Sequence, residues 1–139
     1  LSEESLQSLI ETATDARLQS VAPFSRFLVG AAVRTENGKV YTGCNVESAS
    51  YGLTVCAERV AIWKALSEGE RQFTELAVVA DTESLTPPCG TCRQIIWEFA
   101  KHATVVLANL RGLRETVSVK DLLPRAFDAR FLKELAGQK

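Results

Sequence analysis

Apolar residues at Leu6, Leu9, Ile10, Ala13, Ala16 and Leu18 recur at steps suited to one helix face. The pattern predicts an amphipathic helix over residues 3–21, with Ser2 as its cap and Pro23 beyond its end. Then the period changes. FLVGAAVRTENGKVYTGCNV reads as a β-hairpin around Asn37-Gly38, a pair suited to a tight turn whose two central residues both take positive φ. Strands are expected at about 27–35 and 39–45. A loop at 46–55 leads into a helix at 56–68, with Thr54 as candidate cap and Gly69 past its end. Val60, Ile62, Trp63 and Leu66 are its expected core anchors. LAVVA (76–80) and TVVLANL (104–110) are continuous apolar runs, the mark of strands covered on both faces. Between them a helix is expected at 90–101, with Ile95, Ile96 and Phe99 facing the core. ETVSV (115–119) reads as a fifth strand. The tail holds DLLPRAF and a short helix near 128–136.

After the hairpin, the order strand, helix, strand, helix, strand predicts parallel pairing with crossover helices packed on the sheet. Helices that cross over from neighbouring parallel strands start at the same sheet edge, so their N-termini sit side by side. The chain reads as one α/β domain over 1–139, without repeats or linkers. At 46% hydrophobic and 24% charged residues, it has ordinary globular composition. A net charge of −1 with scattered Lys and Arg argues against a polynucleotide partner, which calls for a basic patch or stripe. No apolar run has the roughly 18 residues of a membrane span. No leader-like pattern precedes residue 20, and a cytoplasmic protein is expected.

The cysteines change the picture most. There are four: Cys44, Cys56, Cys89 and Cys92. In a reducing compartment they point to a metal or to catalysis before disulfides. Cys56 opens one crossover helix, and Cys89 and Cys92 open the other inside PPCGTC. Thiolates are favoured at helix N-termini. Three that converge repel one another unless a cation sits between them, and zinc suits sulfur and four-fold coordination. Three protein ligands leave one position open, the mark of a catalytic site with a bound water. Glu58 is then a candidate to move that water's proton. Arg59 lies three residues after Cys56 on the same helix face, where it could bond a thiolate and offset the excess negative charge. The rival reading is a closed four-cysteine site that includes Cys44, although Cys44 falls in a strand that reads as core. His102 falls at the end of the second crossover helix, where it suits the helix dipole.

Cys-Ala-Glu followed by Pro-Cys-Gly-Thr-Cys resembles the signature of the zinc-dependent nucleoside deaminases, in which a glutamate that is not a ligand handles the proton. APFSRFLVGAAV, GCNVESASYGLTVCAER, PPCGTCRQ and DLLPRAF extend the resemblance to the small homotetrameric cytidine deaminases. The resemblance implies a three-layer α/β/α sandwich with a mixed five-stranded sheet. It also implies one Zn²⁺ per subunit, and deamination of cytidine and 2′-deoxycytidine in pyrimidine salvage. Cys56, Cys89 and Cys92 match the zinc ligands and Glu58 the proton carrier. Asn45 and Glu47 match groups that bind the ribose hydroxyls, and the backbone N–H of Ala57 matches one that meets the base. Phe27 matches an aromatic against the pyrimidine. Phe127 matches one lent by a neighbouring subunit, so that active sites are shared. Arg59 and Gln94 match groups that hydrogen-bond the thiolates, and Tyr51 a tyrosine near the subunit junction. Phe24 stands where many relatives have Tyr, and Arg125 where a small residue is common.

Plainer readings stand beside these roles. Asn45 and Glu47 could simply shape the loop after a strand. Phe27 and Phe127 could be core aromatics, and Arg59 a solvated helix charge. The rival activities are deamination of a modified cytosine nucleoside, such as a blasticidin-S-like antibiotic, or a non-catalytic zinc module.

Overall fold

Val29–Thr35 (β1) lies one strand in from an edge of the sheet, and its alternation explains the layers. In this computed structural model, which describes residues 2–137, Ala31 and Val33 face one side and Ala32 the other. Glu3–Arg17 (α1) precedes β1, and Val40–Cys44 (β2) follows it. The hairpin closes on three residues. Thr35 and Gly38 bond as a turn, Gly38 takes a φ of 88°, and Thr35 N–H donates to Lys39 O at 2.8 Å. Asn37 keeps an ordinary φ, so the expected two-residue turn is replaced by a turn with a glycine bulge. The short Thr35 hydroxyl–Asn37 contact accompanies that choice.

The first helix stops well before Pro23. Val21 is recruited elsewhere: its N–H donates to Asn45 O and its carbonyl accepts from Glu47 N–H. That bridge between Val21 and Val46 takes the chain off the helix axis and leaves Leu18 exposed. Ser2 caps α1, accepting from Ser5 N–H at 3.0 Å.

Ala57–Ser67 (α2), Phe73–Ala80 (β3), Gly90–Ala100 (α3), Thr104–Ala108 (β4), Arg114–Ser118 (β5), Val119–Leu122 (α4) and Ala129–Gly137 (α5) complete the order. The sheet runs β2-β1-β3-β4-β5. Only β3 and β4 pair in parallel, and the other three pairings are antiparallel. The expected parallel sense of β2 and β3 holds, but β1 lies between them. β3 starts earlier than its apolar run because Glu75 is buried in an ion pair with Arg34 at 2.6 Å. Val119 opens α4 rather than closing β5.

One layer is α1, packed on Ala32, Ala77, Val79, Val106 and Ala108. The other holds α2, α3 and α4 around Ala61, Ile62, Ile96 and Leu122. Two expected anchors and one expected cap are corrected. Trp63 and Phe99 are exposed, and Thr54 does not cap α2: its hydroxyl accepts from Ser48 N–H at 3.0 Å. Two glycines set how closely the helices approach. A Cβ on Gly30 would lie 1.9 Å from Ala13 O, and one on Gly43 would lie 2.3 Å from Ala57 O. Gly43 therefore seats the first turn of α2 directly on β2.

Candidate active site

α2 and α3 start at the same sheet edge on the same face. Their N-caps are Cys56 and Cys89, neither of which uses its side chain to cap the helix. Both sulfurs are thus free for another partner. Cys92 follows one turn into α3 and is fully buried. The three sulfurs lie within 4.8 Å of one another, and Cys56 Sγ is 3.7 Å from Cys89 Sγ. A tetrahedral zinc with bonds near 2.3 Å sets sulfur–sulfur edges of about 3.8 Å. The cluster therefore has the size and donor chemistry that zinc requires. Cys44 cannot join it. Its partner across the hairpin is Gly30, whose open side faces α1, so Cys44 looks to the opposite layer.

Charge is finely divided here. The Cys56 thiol is lowered to about 5, first by the Cys92 thiol that hydrogen-bonds it and then by Arg59. Cys92 is pushed up, because its proton serves Cys56 and burial opposes a second charge. Arg59 Nη2 reaches Cys56 Sγ at 3.6 Å, and its guanidinium sits 5.7 Å from the Trp63 ring centroid. That stacking explains a tryptophan left at the surface. Arg59 Nε is buried without a hydrogen-bond partner. Glu58 is 4% exposed. Burial raises its carboxyl to about 7, and the Cys56 charge adds to the effect.

The loop after β2 meets this cluster through one bridge. Val46 and Val55 exchange hydrogen bonds at 3.0 and 2.9 Å. That antiparallel register sets Asn45 across from Cys56 and Glu47 across from Thr54, with both side chains on one face. The Asn45 amide is tied to the strap before β1: its Oδ1 accepts from Val29 N–H at 2.9 Å and its Nδ2 donates to Phe27 O at 2.7 Å. Glu47 Oε1 accepts from Phe24 N–H and Ser25 N–H at 3.0 and 3.1 Å, and Oε2 accepts from the Ser25 hydroxyl. The Ser25 hydroxyl and the two backbone N–H groups hold Glu47 below the usual carboxylate range. Phe27 closes the strap and is exposed. Ala57, the first residue of α2, carries one of the helix N–H groups that have no intrahelical partner.

One expected role comes out differently. Gln94 does not bond a thiol. Its Nε2 donates to Glu98 and to Phe127 O at 2.7 and 2.8 Å. Gln94 is two residues from Cys92, and residues so spaced do not share a helix face. Phe127 is not a core aromatic of this chain: it is 58% exposed and stacks on Phe131 at 5.7 Å. Tyr51 is exposed too, with Phe24 packed on it edge to face at 6.0 Å. Arg125 takes a positive φ of 55° in the turn before Phe127. His102 is exposed beyond the end of α3, away from the sulfur cluster.

Other contributors went unread in the sequence. Ser25 binds Glu47, and only its place two residues before Phe27 hinted at a Ser turn. Arg93 donates from Nε to Pro88 O and from Nη1 to Leu122 O, at 2.8 and 3.0 Å. Trp97 Nε1 donates to buried Asp128 at 2.9 Å. Arg93, Gln94 and Trp97 together fasten the tail segment to α3.

Comparison with known proteins agrees with this geometry. The family described as the cytidine and deoxycytidylate deaminase zinc-binding region matches residues 3–108. The chain belongs to this family. It is 48% identical over 134 residues to a cytidine deaminase of Sporosarcina psychrophila, covering 96% of this chain and 98% of that one. The crystal structure of a cytidine deaminase from Burkholderia pseudomallei superposes with a TM-score of 0.86 at 47% identity, covering 91% of this chain and all of the other. A blasticidin-S deaminase of Bacillus cereus is 30% identical over 132 residues, 89% of this chain and 92% of that one. Within this deaminase family the sulfur cluster is a zinc site, and the protein is a zinc-dependent hydrolytic deaminase.

Proposed function

We propose that the protein converts cytidine and 2′-deoxycytidine to uridine and 2′-deoxyuridine with release of ammonia, as a step of pyrimidine salvage. One observation carries this reading: the buried carboxyl of Glu58 lies two residues from Cys56 of a three-thiol cluster. A carboxyl in that place can take a proton from water and give it to the substrate. Glu58 takes a proton from the attacking water and delivers it to N3 of the pyrimidine. Water oxygen adds to C4. Glu58 then carries the proton of the new C4 hydroxyl to the amine, the C4–N4 bond breaks as the C4 carbonyl forms, and ammonia leaves. Cys56, Cys89 and Cys92 would hold the zinc, which would supply Lewis acidity to activate the attacking water.

The other residues bind and orient. The Ala57 N–H meets the base, and Phe27 packs against the pyrimidine. Asn45 and Glu47 take the sugar hydroxyls. Arg59 offsets thiolate charge, and Gln94 holds the Phe127 segment. Four copies assemble, with Phe127 lent to a neighbour's site. The exposure of Phe127, Phe24, Tyr51 and Leu53 supports this, because so many large apolar side chains call for a covering surface. A cytoplasmic setting suits four unpaired cysteines. Among the described residues, no helix is long and apolar enough to cross a membrane.

The similarity to a blasticidin-S deaminase keeps a modified cytosine nucleoside as the second reading. A substrate panel separates them. Ammonia release is expected from cytidine and 2′-deoxycytidine, with weak or no release from blasticidin S. The reverse order of rates would replace the plain nucleosides with the antibiotic.

A further inference from the structure

A carboxylate offers about four acceptor positions. In Glu47 three are already taken, two on Oε1 by the N–H groups of Phe24 and Ser25 and one on Oε2 by the Ser25 hydroxyl. One position remains, on Oε2. An ionised carboxylate accepts and cannot donate, so this position suits one hydroxyl and repels a phosphate oxygen.

Ser25 does a second thing. Its oxygen accepts from Phe27 N–H at 3.0 Å while its proton goes to Glu47. A single hydroxyl thus spans the sugar-facing carboxylate and the backbone of the aromatic assigned to the base. The segment has other holds as well: Asn45 grips Phe27 O and Val29 N–H, Arg17 Nε donates to Leu28 O, and Arg26 N–H donates to Ala22 O. Arg26, between Ser25 and Phe27, is at a φ of 57°. The strap is therefore bent sharply at the point the hydroxyl bridges, and a non-glycine residue in that region is held there by its surroundings.

We propose that Ser25 is a positioning residue for sugar recognition: it aims the one open acceptor of Glu47 at a secondary hydroxyl of the nucleoside and keeps Phe27 in register with it. This rests on the reading of Glu47 as a sugar-binding group. Ser25 touches neither the reacting atoms nor the metal. Its loss acts on KM, and more strongly on substrates that carry the hydroxyl than on those that offer the base alone.

The test compares zinc-loaded parent, Ser25→Ala, Ser25→Thr and Glu47→Gln on cytidine and on 2′,3′-dideoxycytidine, with zinc content measured for each. Ser25→Ala is expected to raise KM for cytidine roughly 10-fold, to leave kcat within about twofold, and to change KM for the dideoxy substrate less than about twofold. Ser25→Thr, which keeps the hydroxyl, is expected to restore most of the cytidine KM. An unchanged cytidine KM in Ser25→Ala, or an equal rise on both substrates, overturns the proposal. If Glu47→Gln discriminates between the sugars and Ser25→Ala does not, the Ser25 role alone fails. If Glu47→Gln affects both sugars equally, the Glu47 reading fails and the Ser25 role with it. Should Ser25→Ala not fold, Ser25→Cys, similar in shape and a weak donor, carries the same comparison.

Discussion

Replacing Gly43 by alanine probes the link from sheet packing to metal site. The added Cβ would stand 2.3 Å from Ala57 O, 2.5 Å from Ala61 N and 3.1 Å from Val60 Cβ. Real Cβ atoms essentially never come within 3.0 Å of such atoms. Two of the three obstacles are backbone, so no rotamer change relieves them, and α2 must recede by roughly 0.7 Å or more. Overpacking of this kind costs about 1–3 kcal/mol. Cys56 precedes Ala57 directly, so the displacement reaches one zinc ligand while Cys89 and Cys92 stay with α3. A misplacement near 1 Å at reacting groups costs about 100-fold in rate. Gly30→Ala is the control, because its Cβ would lie 1.9 Å from Ala13 O and press on α1 in the opposite layer. Urea unfolding, zinc titration and ammonia release on both variants make the comparison. Both are expected to lose stability, and only Gly43→Ala to lose zinc affinity and rate. Equal loss of zinc affinity in the two would refute a local seat for α2 at Gly43.

Four further outcomes are expected. Burial raises the Glu58 carboxyl from 4.5 to about 7 in the folded chain, so folding holds its proton. The stability so gained is full below pH 4.5 and is lost as pH rises through about 7, by about 3 kcal/mol in total. Metal-free Glu58→Gln should therefore be more stable than the metal-free parent at pH 8 and equal to it at pH 4, as read by urea midpoints. Chelation of zinc at saturating metal should lower Tm by about 10 °C, and no shift would argue against a site coupled to folding. Cys92→Ser should abolish stoichiometric zinc, whereas Cys44→Ser should leave it intact, because Cys44 faces the α1 layer. Trp97→Phe removes the indole bond to Asp128, the residue after Phe127. KM for cytidine should rise by about 3–10-fold with kcat kept, and an unchanged KM would show that this bond does not position the aromatic.

The chemistry was legible because it is local. Cys56, Glu58 and Arg59 share the opening turn of one helix, and Cys89 and Cys92 that of another. The strand-helix alternation already placed both openings at one sheet edge. The positions that misled were decided by partners distant in sequence. α1 ends early because Val21 pairs with Val46. β3 begins early because Arg34 neutralises Glu75. No pattern within a segment reveals such pairings. Ser25 belongs to the same class, since its bond to Glu47 spans 22 residues. The plainer loop-shaping reading of Asn45 and Glu47 holds, since both side chains tie the strap, and it is compatible with the sugar-binding roles proposed for them.

The measurement to make first is ammonia release from cytidine by zinc-loaded protein, beside Glu58→Ala with its zinc content determined. The parent is expected to release ammonia as cytidine is consumed. Glu58→Ala is expected to keep one zinc per chain and to release none. Undiminished release by Glu58→Ala would contradict the assignment of the proton-carrying step to this buried carboxyl.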